Sequence, residues 1–279
     1  MKRIAVLTAL ASVTAVSAAS ATSITIFSGT GSNVAAITPV RDNFRAAVGG
    51  GTVAGANGSF GGVRREINWD GVPDAFSAPN SFPANFFNVN SPRGTIYSTP
   101  GTGFQVSANA GGATPIEFGN INPSYPSTFA AFTPQRLFTA IGSNITDVNF
   151  FVPGTATAAT TSAFGVMFTD VDLAGSTTIE YFDLLNNSLG VFDVPSIAGN
   201  ETFSFLGALF DSSVIARVRI TSGNTALGPN DGGAIDVVVM DDFIYGEPTA
   251  PAAVPEPTTL VLLGTGIAFA VRRRRARKN

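Results

Sequence analysis

Between residues 145 and 245, seven short apolar stretches follow one another with turn residues between them and no helical stretch to separate them. They fall at 145–152, 163–171, 177–184, 189–194, 202–205, 214–221 and 234–245. Valine, isoleucine, threonine and phenylalanine dominate these stretches, and such side chains fit a pleated, half-buried surface better than a helix. Seven strands in about 100 residues, with nothing helical to cover a parallel sheet, predict an all-β antiparallel sandwich.

The first half of the chain is less regular. Residues 23–28 (SITIFS) alternate and predict an opening strand. The one helix expected covers 39–48, with Pro39 at its start and Gly49-Gly50-Gly51 as its stop. Residues 55–62 read as a glycine-rich loop, and 63–69 as a strand with Val63, Ile67 and Trp69 on one face. From 71 to 127 the chain is rich in Pro, Asn, Ser and Gly, a loop region ordered by apolar pieces at 86–87, 95–97, 103–106 and 116–118. No repeat of fixed period is present. Residues 22–245 therefore read as one sandwich domain, and 246–254 (GEPTAPAAV) as a semi-stiff Pro/Ala linker.

Both ends differ from this body. Lys2 and Arg3 precede an apolar stretch at 4–16, and small residues with Ala19-Ser20-Ala21 follow, so residues 1–21 are expected to be a cleaved secretory signal peptide. At the other end Pro255-Glu256-Pro257 precedes an uncharged apolar segment, 258–271, and then a basic tail, 272–279. Fourteen helical residues span about 21 Å against a hydrocarbon core of about 30 Å. Seven strongly apolar side chains contribute about −2 to −4 kcal/mol to insertion, so a single short transmembrane helix is marginal but feasible. Arg272, Arg273, Arg274, Arg275, Arg277 and Lys278 form a stop that stays on the cytoplasmic side.

This ordered triple resembles the PEP-CTERM sorting signal. The resemblance covers 255–279 and implies recognition by an exosortase, a membrane-embedded transpeptidase of Gram-negative bacteria that make exopolysaccharide. It further implies cleavage near Pro255, Glu256 and Pro257, after transient anchoring in the inner membrane. The body is similar to the globular part of some PEP-CTERM proteins, in Ile-Asn-Trp-Asp-Gly-Val-Pro (67–73), Phe-Phe-Asn-Val-Asn-Ser-Pro-Arg-Gly (86–94), Phe-Gly-Val-Met-Phe-Thr-Asp-Val-Asp (164–172) and Met-Asp-Asp-Phe-Ile-Tyr (240–245). Asp-Asp ahead of a closing apolar strand end also resembles jelly-roll carbohydrate-binding modules, some of which hold a structural calcium. The sandwich is therefore expected to be of jelly-roll type.

Charge and composition exclude several functions. Of 16 basic residues two lie in the signal peptide and six in the tail, which leaves eight arginines and no lysine against 18 acids in the body. A net charge near −10 on the body repels nucleic acid, and no nucleic-acid partner is expected. The chain has no cysteine and no histidine, which removes disulfides, thiol and serine–histidine catalysis, and histidine zinc sites.

What remains is oxygen chemistry. Asp170 and Asp172 stand two apart on an expected strand, so both project from one face; Asp241 and Asp242 sit near the end of the last strand; Asp231 and Asp236 flank a Gly-Gly turn. Carboxylates from several loops suit calcium, and Asp170, Asp172, Asp241 and Asp242 are the candidate ligands, set against solvated turn acids as the alternative. Glu180, Asp183, Asp170 and Asp172 are candidate glycosidase acids on charge alone. Trp69, beside Asp70, is a candidate sugar platform or a core residue, with Tyr97, Tyr125 and Tyr181 as further aromatic candidates. The glycines at 29–31 and 101–103 lack the lysine and following helix of a phosphate loop. The expected role is a non-catalytic surface or extracellular-matrix protein associated with exopolysaccharide. A carboxylate glycosidase and a ligand-free structural protein are the alternatives.

Overall fold

The computed structural model describes residues 23–251 and the isolated positions 266 and 273. The expected signal peptide, and nearly all of the segment from Pro255 onward, lie outside the described residues. Among the described residues no helix is long and apolar enough to cross a membrane.

Strand β1 (Ile24–Gly31) leads directly into α1 (Val34–Val48), the longest helix among the described residues. Asn33 caps it: its backbone is extended and its side chain accepts the Ala36 N–H at 3.0 Å. The helix thus begins five positions before Pro39, which lies inside it and not at its start. The asparagine cap decides the boundary; proline only removes one internal hydrogen bond. Gly49, at φ 90°, ends the helix as expected.

Two short strands, β2 (Ser59–Phe60) and β3 (Arg64–Ile67), follow, then a single turn of helix, α2 (Phe86–Val89), and strands β4 (Thr95–Ser98), β5 (Gly103–Val106) and β6 (Phe138–Ile141). β3 is shorter than expected, so Val63 lies outside it and is 47% exposed. The seven expected strands are all present: β7 (Ile145–Phe150), β8 (Ala163–Thr169), β9 (Thr178–Phe182), β10 (Ser188–Asp193), β11 (Phe203–Phe210), β12 (Arg217–Thr221) and β13 (Val239–Gly246). β6 was not expected, and without it the topology does not close.

Every strand pairing is antiparallel. One sheet runs β1-β11-β8-β13-β3-β2, with β6 also beside β13 and β5 beside β6; the other runs β10-β9-β12-β7-β4. The last eight strands give β6-β13-β8-β11 in one layer and β7-β12-β9-β10 in the other. That alternation between layers is the double Greek key of a jelly roll. The fold is an all-β antiparallel sandwich of jelly-roll type, and β1 to β5 extend its layers.

The main core lies between the sheets. Trp69 stacks on Phe138 with ring centroids 4.0 Å apart, and Phe82, Phe87 and Phe243 meet its edge or face. The larger sheet is also covered on its outer face, so β8 and β13 are buried along their whole length. There α1 lies across β1, β8 and β11, and the ring of Phe44 rests on Gly165 and Gly207, which face each other in register. A Cβ at either glycine would come within 2.9 Å of that ring, so the flat spot is what lets the helix approach.

β13 contains the irregularity that sets the sheet. Its pairing with β8 shifts between Met240 and Phe243, and over the same step its other neighbour changes from β6, at Met240–Phe138, to β3, at Phe243–Ile67. Asp241 and Asp242 occupy the shift, both buried. The Asp241 carboxylate accepts the Phe132 N–H at 2.6 Å, the Thr133 N–H at 3.2 Å and the Thr133 hydroxyl at 3.1 Å. Its carbonyl accepts the Trp69 indole N–H at 2.7 Å. Asp242 accepts from the Thr133 hydroxyl and pairs with Arg41 of α1 at 3.2 Å. The Thr133 hydroxyl has one proton to share between Asp241 and Asp242, and the remaining donors tie these two aspartates, expected as calcium ligands, to the Phe132–Thr133 turn and to α1.

Replacing Asp241 with alanine leaves the Phe132 and Thr133 N–H groups buried without an acceptor. Asp241→Ala is expected to lower unfolding stability by about 2–5 kcal/mol, read from urea denaturation midpoints at constant m.

Candidate metal centre

Asp170 and Asp172 belong to a loop, not to a strand as expected, because β8 ends at Thr169. Asp170 adopts a left-handed backbone, φ 69°, and its N–H bonds the Thr202 carbonyl at 3.0 Å. This turn, rather than strand alternation, brings Asp170 and Asp172 to the same place. Asp231, from the loop before β13, joins them: one carboxylate oxygen from each of the three lies within 4.8 Å of the others.

Asp236 organises the group without joining it. One of its oxygens accepts the Asp172 N–H at 3.2 Å; the other accepts the Leu173 N–H at 3.2 Å and the Ser176 hydroxyl. Asp172 uses Oδ1 to accept the Gly199 N–H at 2.9 Å, and Asp231 uses Oδ1 to accept the Val237 N–H at 3.1 Å. Asp170 is 0% exposed, and neither of its carboxylate oxygens has a hydrogen-bond partner among the described residues. Burial, then repulsion from Asp231, Asp172 and Asp236, pushes its carboxyl up to about 9. Asp231 is raised as well, by burial first and by Asp172 and Asp236 after it.

These acids belong to one end of the sandwich. Loops 114–135, 170–176, 195–202 and 222–238 hold Glu117, Asp170, Asp172, Glu201, Asp231 and Asp236, and neither lysine nor arginine. They are tied to one another: Glu201 N–H to the Thr128 carbonyl, Asn122 to Asn230 and the Gly228 carbonyl, and the Tyr125 hydroxyl to the Pro229 carbonyl. Elsewhere arginines pair with acids: Arg45 and Arg64 with Glu66, Arg65 with Glu247, Arg136 with Asp74, and Arg217 and Arg219 with Asp147. An open groove of about 530 Å³ beside α1 is lined by Arg45 and Arg64, whose guanidinium groups already hold Glu66.

The remaining expected site residues take structural places. Trp69 is 1% exposed and both faces of its ring lie in the core, which corrects its reading as a sugar platform. Asp70 accepts the Arg136 N–H and the Asn68 side-chain N–H, and burial raises its carboxyl. Tyr97, Tyr125 and Tyr181 are buried. Glu180 stands across the strand pair from Arg219, and Asp183 closes the β9–β10 turn by accepting the Leu185 and Asn187 N–H groups at 2.8 Å.

One acid had no signal in the sequence. Burial, then the charge of Glu201, pushes Glu117 up to about 7, although the two are far apart along the chain. A carboxyl near 4.3 when unfolded and about 7 when folded binds its proton more tightly in the native state. Its contribution is therefore full below the unfolded value and lost as pH rises from about 4 to about 7. Glu117→Gln is expected to leave the melting temperature unchanged at pH 4 and to raise it relative to the parent at pH 8.

None of the curated proteins compared matches the chain. Among solved structures, the enzymatically active domain of bacteriophage CBA120 tailspike protein 4 aligns over 60% of this chain and 20% of its own, at 12% identity and a TM-score of 0.22. The aligned part thus spans about a fifth of that structure's length, and a likeness this low carries no argument about fold or activity. Residues 253–275 match the PEP-CTERM protein-sorting motif, with Pro255, Glu256 and Pro257 inside the match. That motif implies export, a C-terminal membrane anchor and processing by exosortase. Behind its jelly-roll sandwich, the chain carries a PEP-CTERM sorting motif.

Proposed function

We propose that the mature protein is a non-catalytic surface or extracellular-matrix protein that resides with exopolysaccharide after exosortase processing. The observation that carries this reading is the sorting motif at 253–275, placed a few residues behind the last strand, which ends at Gly246. A body so close to its cleavage point is a cargo that the motif delivers. The ion-paired arginines and the acidic loop end favour solubility outside the cell over adhesion to anionic lipid. With Trp69 and all four tyrosines buried, contact with glycan runs through polar loop groups and not through a stacking platform.

Mass spectrometry of the protein from whole cells is expected to find an N-terminus at Thr22 and a C-terminus near 255–257. Recovery of the intact chain, arginine run included, from the cytosol overturns the reading. Incubated with the host exopolysaccharide, the protein is expected to co-sediment with it and to release no reducing ends.

A second reading, a carboxylate glycosidase, is favoured by Glu117, whose carboxyl near pH 7 beside Glu201 suits a general acid. Reducing-end release abolished by Glu117→Gln would select it.

A further inference from the structure

We propose that Asp170, Asp172 and Asp231 bind one calcium ion that clamps three loops at the acidic end of the sandwich. A buried carboxylate with no donor is unfavourable when ionised: it has lost water without gaining a hydrogen bond, and here it faces two further carboxylates. A cation resolves this, because it supplies the positive charge that no lysine or arginine of these loops provides.

The donor set selects the ion. Both oxygens of Asp170 are free, and Asp172 and Asp231 each use only Oδ1 for hydrogen bonds among the described residues. Four hard oxygens remain, from two separate loops, and a chain without cysteine or histidine offers no soft ligand. Calcium accepts six to eight oxygens in irregular geometry, with carbonyls and water completing the shell, whereas magnesium demands a near-ideal octahedron. The hydrogen bonds of Asp236 to Asp172, Leu173 and Ser176 hold the 170–176 loop in place before the ion arrives.

The ion joins the loop after β8 to the loop before β13, two adjacent strands of the larger sheet. Through the bond from Gly199 to Asp172 it also fixes the loop before β11. A chain without cysteine gains in this way a crosslink between distant segments. Extracellular modules bind calcium with Kd about 10⁻⁴–10⁻³ M, and an affinity in that range leaves the clamp open until the chain reaches the outside. That timing alone rests on the export reading; the binding does not.

The test uses the full chain purified in mild detergent, stripped with a chelator and titrated with calcium chloride while its melting is followed. At a calcium concentration a hundredfold above Kd, melting is expected to rise by about 5–10 °C, with a smaller rise for magnesium chloride. Asp231→Asn, a half-buried position, is expected to fold and to lose at least tenfold in calcium affinity by calorimetry. Asp170→Asn is expected to raise the melting temperature of the stripped protein and to abolish its calcium response. No melting shift at 10 mM calcium, or equal shifts in the parent and both variants, overturns the proposal. Either result leaves the processing sites found by mass spectrometry, and hence the export reading, unaffected.

Discussion

Two adjacent buried aspartates in β13 hold the fold together. Asp241 and Asp242 fill the step at which β13 exchanges β6 for β3 while keeping β8 on its other side. Each carboxylate fixes a different part of the molecule. Asp241 secures the turn at Phe132 and Thr133, and through its carbonyl the Trp69 ring; Asp242 secures α1 through Arg41. Buried charges of this kind add little net stability, since removing two ions from water is costly. Removing one member of such a network, however, strands the others. Here they define which residues of β13 face which neighbour, and a slip by one residue would turn its apolar side chains to the wrong face.

Around that step the core is aromatic. Trp69 lies at its centre, stacked on Phe138 and edged by Phe82, Phe87 and Phe243. A domain without cysteine must take its stability from burial, and rings bury more surface per residue than aliphatic side chains. The outer face of the larger sheet follows the same logic. Gly165 and Gly207 give up their side chains so that Phe44 can carry α1 down onto β8 and β11.

The acidic loops work in the opposite sense. Apolar burial dominates the middle of the sandwich, whereas at this end carboxylates crowd together with no arginine among them. Burial and repulsion between carboxylates raise Asp170, Asp231 and Glu117. Apolar burial holds the rest of the body together, and carboxylates crowd where the loops after β8 and before β13 converge.

Strand content, antiparallel class and the sorting motif were legible in the sequence, because alternation of side chains and the order Pro-Glu-Pro, apolar segment, basic tail are local patterns. The strands β7 to β13 follow their apolar stretches within a few residues. Asn33, and not the expected Pro39, sets where α1 begins, because its side chain accepts the Ala36 N–H. β6, Phe138 to Ile141, was not expected from the sequence, although that strand closes the jelly roll. The fates of the aspartates were not local at all. Asp170 and Asp241 sit in similar acidic, apolar contexts along the chain, yet among the described residues the first carboxylate has no donor and the second has three. Only the tertiary structure decided that, because a carboxylate's role depends on which distant N–H groups, arginines and other carboxylates the folded loops bring within about 3–5 Å of it.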